Sequence, residues 1–433
     1  MVNVAFGTDG IRGRSGEFPI VPEVAHAVGR AAVKLARRFG GESVLIGRDG
    51  RPSGVELARA VGQGVIDAGG SARDAGVVPT SAVQVGVADG LAAVGVMVTA
   101  SHNPESDNGF KVIGPGGRKL DDPTAADVEV WLTDPPPTTA GFGAPEDLAD
   151  RVRRGWRARF VACAGDLSAL RGRRIVIDLA NGASNAVRDL VTELVPAEIV
   201  WIGTDGVVND GVGTEHLAHL QTKVAGVGCV GGFAVDGDGD RCRLVDQNGV
   251  EISGDAVTWR LALDAQVEAL AVTVMSSGSL EKLLPGVRVV RTPVGDRFLR
   301  QVMDQQDLPL GAEESGHVLF GEHPGGDGLL TGVRALLAAF RSAPTLADAF
   351  GGFVPMPRKT TRVVARAQPP LDDLVAVQRA RAAGLERLGP HGKVFLRYSG
   401  TEPVLRILVE GEPQAAVDAV SAAVTSAASK ALS

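Results

Sequence analysis

Short runs of Val, Ile, Leu and Ala with both faces apolar alternate along this chain with segments of helical period, and the alternation starts afresh twice. A strand apolar on both faces must be covered on both sides, which helices packed against a largely parallel sheet achieve. The first round predicts strands over 44–47, 72–78 and 93–99 and a helix over 55–68. A breaker-rich stretch at 133–145, with Pro135, Pro136 and Pro137 in a row, closes it. The second round predicts strands over 174–179, 199–202 and 232–235, a helix over 183–194, and a hairpin turn at Asn248-Gly249. The third begins near Gly254 with a helix, strands over 271–275 and 288–291, and a helix from Asp296. Beyond Pro355 and Pro357 the pattern alternates more, with strands over 361–365, 393–397 and 405–409 and helices near 372–385 and 413–428. That block reads as a small α+β unit with one open sheet face. The fold class is therefore α/β, three similar blocks and one different one, divided at 1–145, 146–247, 248–356 and 357–433.

Composition fits that architecture. The 433 residues are 44% hydrophobic and 22% charged, enough to build packed cores. A net charge of −7, with no markedly basic half, argues against a wide nucleic-acid-binding surface. A small anion needs only a few local cations and amides, so it remains open. Cys163, Cys229 and Cys242 form an odd set without CxxC spacing, which fits reduced thiols better than a disulfide framework or a zinc site. The first residues lack the apolar core of a signal peptide, and the longest apolar run, 91–98, is far short of the roughly 20 residues that span a bilayer. A cytoplasmic protein without membrane partners is expected.

Five loops carry chemistry. Asp236-Gly237-Asp238-Gly239-Asp240-Arg241 follows an apolar strand, and three carboxylates at alternate positions can fold around one hard cation. An EF-hand would need Gly and Glu where this chain has Arg241 and Gln247, so that reading fails and Mg²⁺ is the expected ion; an acidic surface turn is the bland alternative. Thr99-Ala100-Ser101-His102-Asn103-Pro104 lies at the C-terminal end of a strand, where α/β sheets gather ligands. Ser101 beside His102 could be a nucleophile, although no Gly-x-Ser-x-Gly elbow is present, and a polar turn is equally compatible. Arg397-Tyr398-Ser399-Gly400-Thr401-Glu402-Pro403 could cradle a phosphate or simply close a hairpin. Gly311-Ala312-Glu313-Glu314-Ser315-Gly316-His317 combines carboxylate, hydroxyl and imidazole, a set suited to polyol recognition and proton transfer. The opening Phe6-Gly7-Thr8-Asp9-Gly10-Ile11-Arg12-Gly13 is too polar and glycine-rich for a core strand. His216 and His219 are spaced for one helix face, but with no clear third ligand a polar face is favoured.

In this order and over essentially the whole chain, these loops resemble the α-D-phosphohexomutase family. The opening motif, Val274-Met275-Ser276-Ser277 and the stretch from Arg291 to Phe298 are most similar to its phosphoglucosamine mutase branch, with Glu314 and Gly239 as departures from that branch's usual residues. The resemblance implies three mixed-sheet α/β domains and a mobile C-terminal domain around a central cleft. It implies a phosphorylated Ser101, with Asp236, Asp238 and Asp240 holding one Mg²⁺ against that phosphate. Arg12 and Arg241 would lie near it, Lys111 and His317 would be the acid and base, and Glu313 and Ser315 would grip sugar hydroxyls. Arg397, Ser399, Gly400 and Thr401 would hold the phosphate that is not transferred. The implied reaction interconverts a sugar 6-phosphate and 1-phosphate through a 1,6-bisphosphate, which also serves as activator. The implied substrate is a hexose or hexosamine phosphate, glucosamine phosphate first, and the protein would be a monomer or homodimer. A mannose, glucose or specialised-sugar mutase, a phosphatase and a non-enzymatic sugar-phosphate binder are the alternatives; keeping Ser101, the aspartates, Lys111 and His317 argues against the last.

Overall fold

The computed structural model describes residues 7, 10–133, 143–226, 228–399 and 402–432. Pro135 to Pro137, Phe6, Thr8, Asp9, Gly400 and Thr401 lie outside them. The chain forms two compact units, 1–273 with 290–350, and 274–289 with 351–433.

The first unit carries three mixed sheets. In the first, β1 (Ile11–Arg14), β2 (Ser43–Arg48), β3 (Ser71–Val77), β4 (Val94–Val98), β5 (Asp107–Ile113) and β6 (Glu146–Asp147) lie in the order β1-β5-β4-β2-β3-β6. β2, β3, β4 and β6 run parallel, while β5 turns back antiparallel to β4. Helices Pro22–Arg38 and Gly54–Asp67 bury Val28, Leu35, Val61 and Val65 against Val44, Ile46, Val94 and Val96. The glycine-rich opening supplies β1, an edge strand paired to β5 with Ile11 opposite Phe110. Edge placement tolerates its polar residues, because only Ile11 must enter the core.

The second sheet repeats the plan. β7 (Arg174–Asp178), β8 (Glu198–Ile202), β9 (Gly231–Val235), β10 (Cys242–Asp246) and β11 (Glu251–Ile252) lie in the order β11-β10-β9-β7-β8. β7, β8 and β9 are parallel and β10 returns antiparallel. The turn at Asn248-Gly249 joins β10 to β11, with Gly249 at φ +79°. The expected helix over 183–194 splits into a 3₁₀ turn, Ala183–Val187, and a helix, Arg188–Leu194. His219 lies in the helix Ala218–Gly226 but His216 precedes it in a turn, so the two do not share a helix face. The third sheet orders β12 (Ala269–Thr273), β13 (Arg288–Thr292), β14 (Leu310–Ala312) and β15 (Val318–Phe320) as β13-β12-β14-β15, β12 and β14 parallel and β15 antiparallel.

In the second unit β16 (Arg358–Val364), β17 (Lys393–Tyr398) and β18 (Val404–Glu410) form an antiparallel sheet in the order β16-β18-β17. Leu405, Ile407 and Val409 pack with Val377 and Leu388 of the helix Val375–Leu388 and with Val417, Val420 and Val424 of the helix Gln414–Leu432. The segment 274–289 belongs to this unit: Glu410, buried, accepts from the Gly278 amide at 2.6 Å and the Ser277 hydroxyl at 3.2 Å. Among the described residues no helix is long and apolar enough to cross a membrane.

Candidate active site

The three sheets of the first unit share one construction. Each has a parallel strand that ends, turns and returns as its antiparallel neighbour: β4 to β5, β9 to β10, β14 to β15. The connections are residues 99–106, 236–241 and 313–317, the loops carrying Ser101, the three aspartates, and Glu313 with His317. Backbone bonds knit the loops together. Asp238 O accepts from the Thr80 amide, Gly237 O from Ala183 and Gly239 O from Gly328, at 2.8–2.9 Å, while Gly316 O accepts from Cys242 N at 2.9 Å. Arg241 and His317 form an isolated antiparallel bridge.

Ser101 is buried and holds φ at +55°, a left-handed conformation uncommon for a residue with a side chain. The strain is held in place by two donors that grip the same two carbonyls. Arg51 Nη2 donates to Ser101 O at 2.9 Å and Asn103 O at 2.8 Å; Asn209 Nδ2 donates to both at 2.8 Å. Arg51 Nη1 also reaches Asp107 O at 2.9 Å and Pro104 O. Its Nε donates to Asp49 at 2.9 Å; Asp49 accepts from the Thr99 hydroxyl at 2.6 Å, and that hydroxyl accepts from the Ser101 amide at 2.8 Å. Burial pushes the Asp49 carboxyl up, opposed by the Arg51 charge. Neither Arg51 nor Asn209 stood out in the sequence; the only local signal is their place after strand ends. Arg51→Met would leave the buried Asp49 carboxylate without its charge partner, take this donor from Pro104 O and Asp107 O, and leave Ser101 O and Asn103 O to Asn209 alone. It is expected to cost about 3–5 kcal/mol, read as a lowered first thermal transition; a change below about 1 kcal/mol would mean the clamp is dispensable.

The Ser101 hydroxyl donates to Asp236 Oδ2 at 2.6 Å and lies 3.4 Å from His102 Nδ1. Burial, then the Arg241 and Arg12 charges, lower His102 to about 4, so it is neutral at pH 7. Asp236, Asp238 and Asp240 are buried with ligand oxygens all within 4.8 Å of one another. Lys111, on β5, donates to Asp238 and Asp240 at 2.7 Å each. Asp236 Oδ1 accepts from the Asp240 and Arg241 amides at 3.1 Å. Burial, with the Asp240 and Asp238 charges, still raises the Asp236 carboxyl well above its ordinary range. One buried oxygen, Asp238 Oδ1, has no hydrogen-bond partner. An all-oxygen set with surplus negative charge and an unsatisfied buried oxygen fits a hard divalent cation. The glycines of this loop are structural requirements. A Cβ on Gly237 would stand 2.6 Å from Ser101 O, and Gly239, at φ +74°, would bring one within 2.4 Å of Ser184 Oγ. Glycine at 239 therefore suits this chain's own backbone.

The other expected residues fall as follows. Arg12, on β1, reaches Ala100 O at 3.5 Å. Glu313 accepts from the Gly295 amide at 2.8 Å and from the Ser315 hydroxyl at 3.2 Å. His317 is buried and Glu314 half-buried. In the second unit Arg397 is exposed and Ser399 buried, its amide bonded to Val404 O at 2.9 Å. Register adds what the sequence could not: Arg362, Arg406 and Arg397 stand directly opposite one another across β16, β18 and β17. Three guanidiniums in one cross-strand row repel. Glu402 meets Arg406 at 3.0 Å and Arg362 at 3.8 Å, and an anion would relieve the rest.

Residues 3–134, 254–355 and 356–427 match, respectively, domain I, domain III and the C-terminal domain of the phosphoglucomutase/phosphomannomutase family. A phosphoglucosamine mutase of Symbiobacterium thermophilum is 37% identical over 438 residues, 97% of each chain. A phosphoglucomutase/phosphomannomutase family protein of Burkholderia thailandensis shares the fold at a TM-score of 0.83 and 24% identity, covering 100% of this chain and 98% of its own. The N-acetylphosphoglucosamine mutase of Aspergillus fumigatus, solved with GlcNAc-6P and magnesium, does so at 0.66 and 18%, covering 99% and 96%. With three domain matches in family order and a relative 37% identical across 97% of each chain, the chain belongs to the phosphoglucomutase/phosphomannomutase family of α-D-phosphohexomutases, a family of isomerases.

Proposed function

We propose that the protein interconverts glucosamine 6-phosphate and glucosamine 1-phosphate, a step toward amino-sugar nucleotides and cell-wall precursors. The observation that carries this is the Ser101 hydroxyl, held in a strained loop 2.6 Å from one of three clustered aspartates, in a chain so similar to phosphoglucosamine mutases. Ser101 carries the phosphoryl group. The sugar's free hydroxyl attacks phosphorus, the bond from phosphorus to Ser101 Oγ breaks, and the hydroxyl proton passes to Lys111 or His317. The resulting 1,6-bisphosphate returns its other phosphate to Ser101 Oγ, with the proton handed back to the leaving oxygen.

Asp236, Asp238 and Asp240 would hold one Mg²⁺, which when bound would offset charge on the transferring phosphoryl group. Arg12 and Arg241 add cationic charge beside Ser101, and Glu313 with Ser315 orients sugar hydroxyls. Arg397, Ser399, Gly400 and Thr401 take the phosphate that is not transferred, and the row that includes Arg406 and Arg362 supports that role. Sugar 1,6-bisphosphate activates by phosphorylating Ser101. Domains bounded at 145, 247 and 356, a cytoplasmic location and a monomer or homodimer without nucleic-acid or membrane partners complete the reading.

A panel of hexose and hexosamine phosphates, each primed with its 1,6-bisphosphate, tests it. Glucosamine 6-phosphate is expected to have the highest kcat/KM; glucose or mannose phosphate ahead of it would reassign the substrate, and Glu314 keeps that outcome in play. Arg397→Ala is expected to lower kcat/KM about ten- to a hundredfold, the worth of one charge-assisted contact. Free bisphosphate should then accumulate while Ser101 stays phosphorylated. Unchanged kcat/KM would remove Arg397 from the phosphate site.

A further inference from the structure

The stretch from Arg291 to Phe298 contains an acidic residue to which the chemistry above gives no task. Asp296 opens the helix Asp296–Gln306 and is buried. Its Oδ2 lies 2.8 Å from Lys119 Nζ and 3.3 Å from His317 Nε2. The three side chains come from different places: Lys119 follows β5 and is bridged to Ile113, Asp296 follows β13, and His317 ends the loop before β15. The loop that presents Asp296 is also tied to the sugar loop, because the Gly295 amide donates to Glu313. His317 Nε2 is buried, and the approach to Asp296 is too poorly aligned to count as a hydrogen bond. Asp296 is nevertheless the carboxylate it faces. Such contacts often tighten only once substrate is bound.

We propose that Asp296 is the positioning residue for His317: it takes the Nε2 proton of the neutral imidazole and leaves Nδ1 as the ring's basic atom. This rests on the role given to His317 in the mutase reading. A neutral imidazole has one N–H and one lone pair, and the acceptor beside one nitrogen decides which is which. When Nδ1 takes the sugar hydroxyl's proton, the ring becomes imidazolium, and the Asp296 carboxylate meets that charge. The proton leaves Nδ1 again as the opposite half-reaction completes. Lys119 holds the same carboxylate oxygen that faces the ring, so the ring cannot drag it out of place. A plain helix-start role for Asp296, charge at the positive end of a helix dipole, would involve neither His317 nor Lys119.

The full-length wild-type protein, labelled with ¹⁵N-histidine, decides the tautomer directly, with the His317 signals identified by their loss in H317Q. The Nε2–H form is expected to dominate; a dominant Nδ1–H form or an even mixture overturns the proposal, whether or not any variant folds. D296N is expected to abolish that preference and to lower kcat about ten- to a hundredfold while KM moves less than about threefold. Ser101 phosphate content should be unchanged, and D296E should recover part of kcat. Lowered thermal stability with kcat and tautomer unchanged would assign Asp296 to the helix start instead. Absence of turnover on every sugar phosphate in the wild type would refute the mutase reading while leaving the tautomer result standing.

Discussion

Ser101→Ala is expected to remove both the phosphorylated species and nearly all turnover. Losses on the order of 10⁴- to 10⁶-fold accompany deletion of a covalent nucleophile elsewhere. Intact-mass analysis of the wild type should show molecules carrying one added phosphate, and the variant none. The fold should survive, because four hydrogen bonds hold the loop through the carbonyls of Ser101 and Asn103, and the serine hydroxyl adds only its bond to Asp236. Alanine keeps a Cβ, so the left-handed backbone costs about the same in both chains. Full activity in the variant, or a phosphate that persists on it, would refute the covalent mechanism.

Removing divalent cations is expected to abolish turnover, and Mg²⁺ to restore it. Ca²⁺ should support far less, since it accepts longer bonds and looser geometry and would misplace the phosphoryl group. Binding should also be visible without any assay of activity: at a hundred times its Kd, a ligand of the folded state stabilises it by about 2.7 kcal/mol. The pH dependence has a definite sign. Asp236 is raised in the fold, so this group favours the cation-free fold fully only below an unfolded carboxyl's ordinary value, and that stability is lost as pH climbs from there to the raised value. Added Mg²⁺ should therefore raise the melting temperature more at neutral pH than at pH 5. Equal rates with and without chelator would refute a catalytic metal, and a gain that shrinks as pH rises would place the ion elsewhere.

The residues legible in sequence were those whose role is local. The three aspartates of 236–240 announce themselves by spacing, and Ser101 by its place after an apolar strand. Strand period marks which residues enter a sheet but not which loop meets which. Arg51 and Asn209 stand 50 and 108 residues from Ser101, whose carbonyl both of them grip. Nothing near them in sequence shows that they meet, because main-chain carbonyls carry no residue identity. Asp296 is hidden in the same way, by partners 177 and 21 positions distant, Lys119 and His317. The row of Arg362, Arg406 and Arg397 depends on strand register, which one chain's alternation leaves undetermined. His216 was misplaced because three-residue spacing looks helical even where a turn supplies it.

The grip on the Ser101 and Asn103 carbonyls bears on how a carrier loop tolerates its own reaction cycle. In the proposed reaction the serine oxygen would be relieved of a doubly charged group in each turnover and then given another. Had the loop's shape depended on what that oxygen bonds, each exchange would reshape the backbone, and the barrier would include that rearrangement. Arg51 and Asn209 hold the peptide groups instead, so under the proposed reaction the loop is expected to keep one shape whether or not Ser101 is loaded. The work of reorganisation would then be done once, when the chain folds, and not repeated with every molecule of sugar.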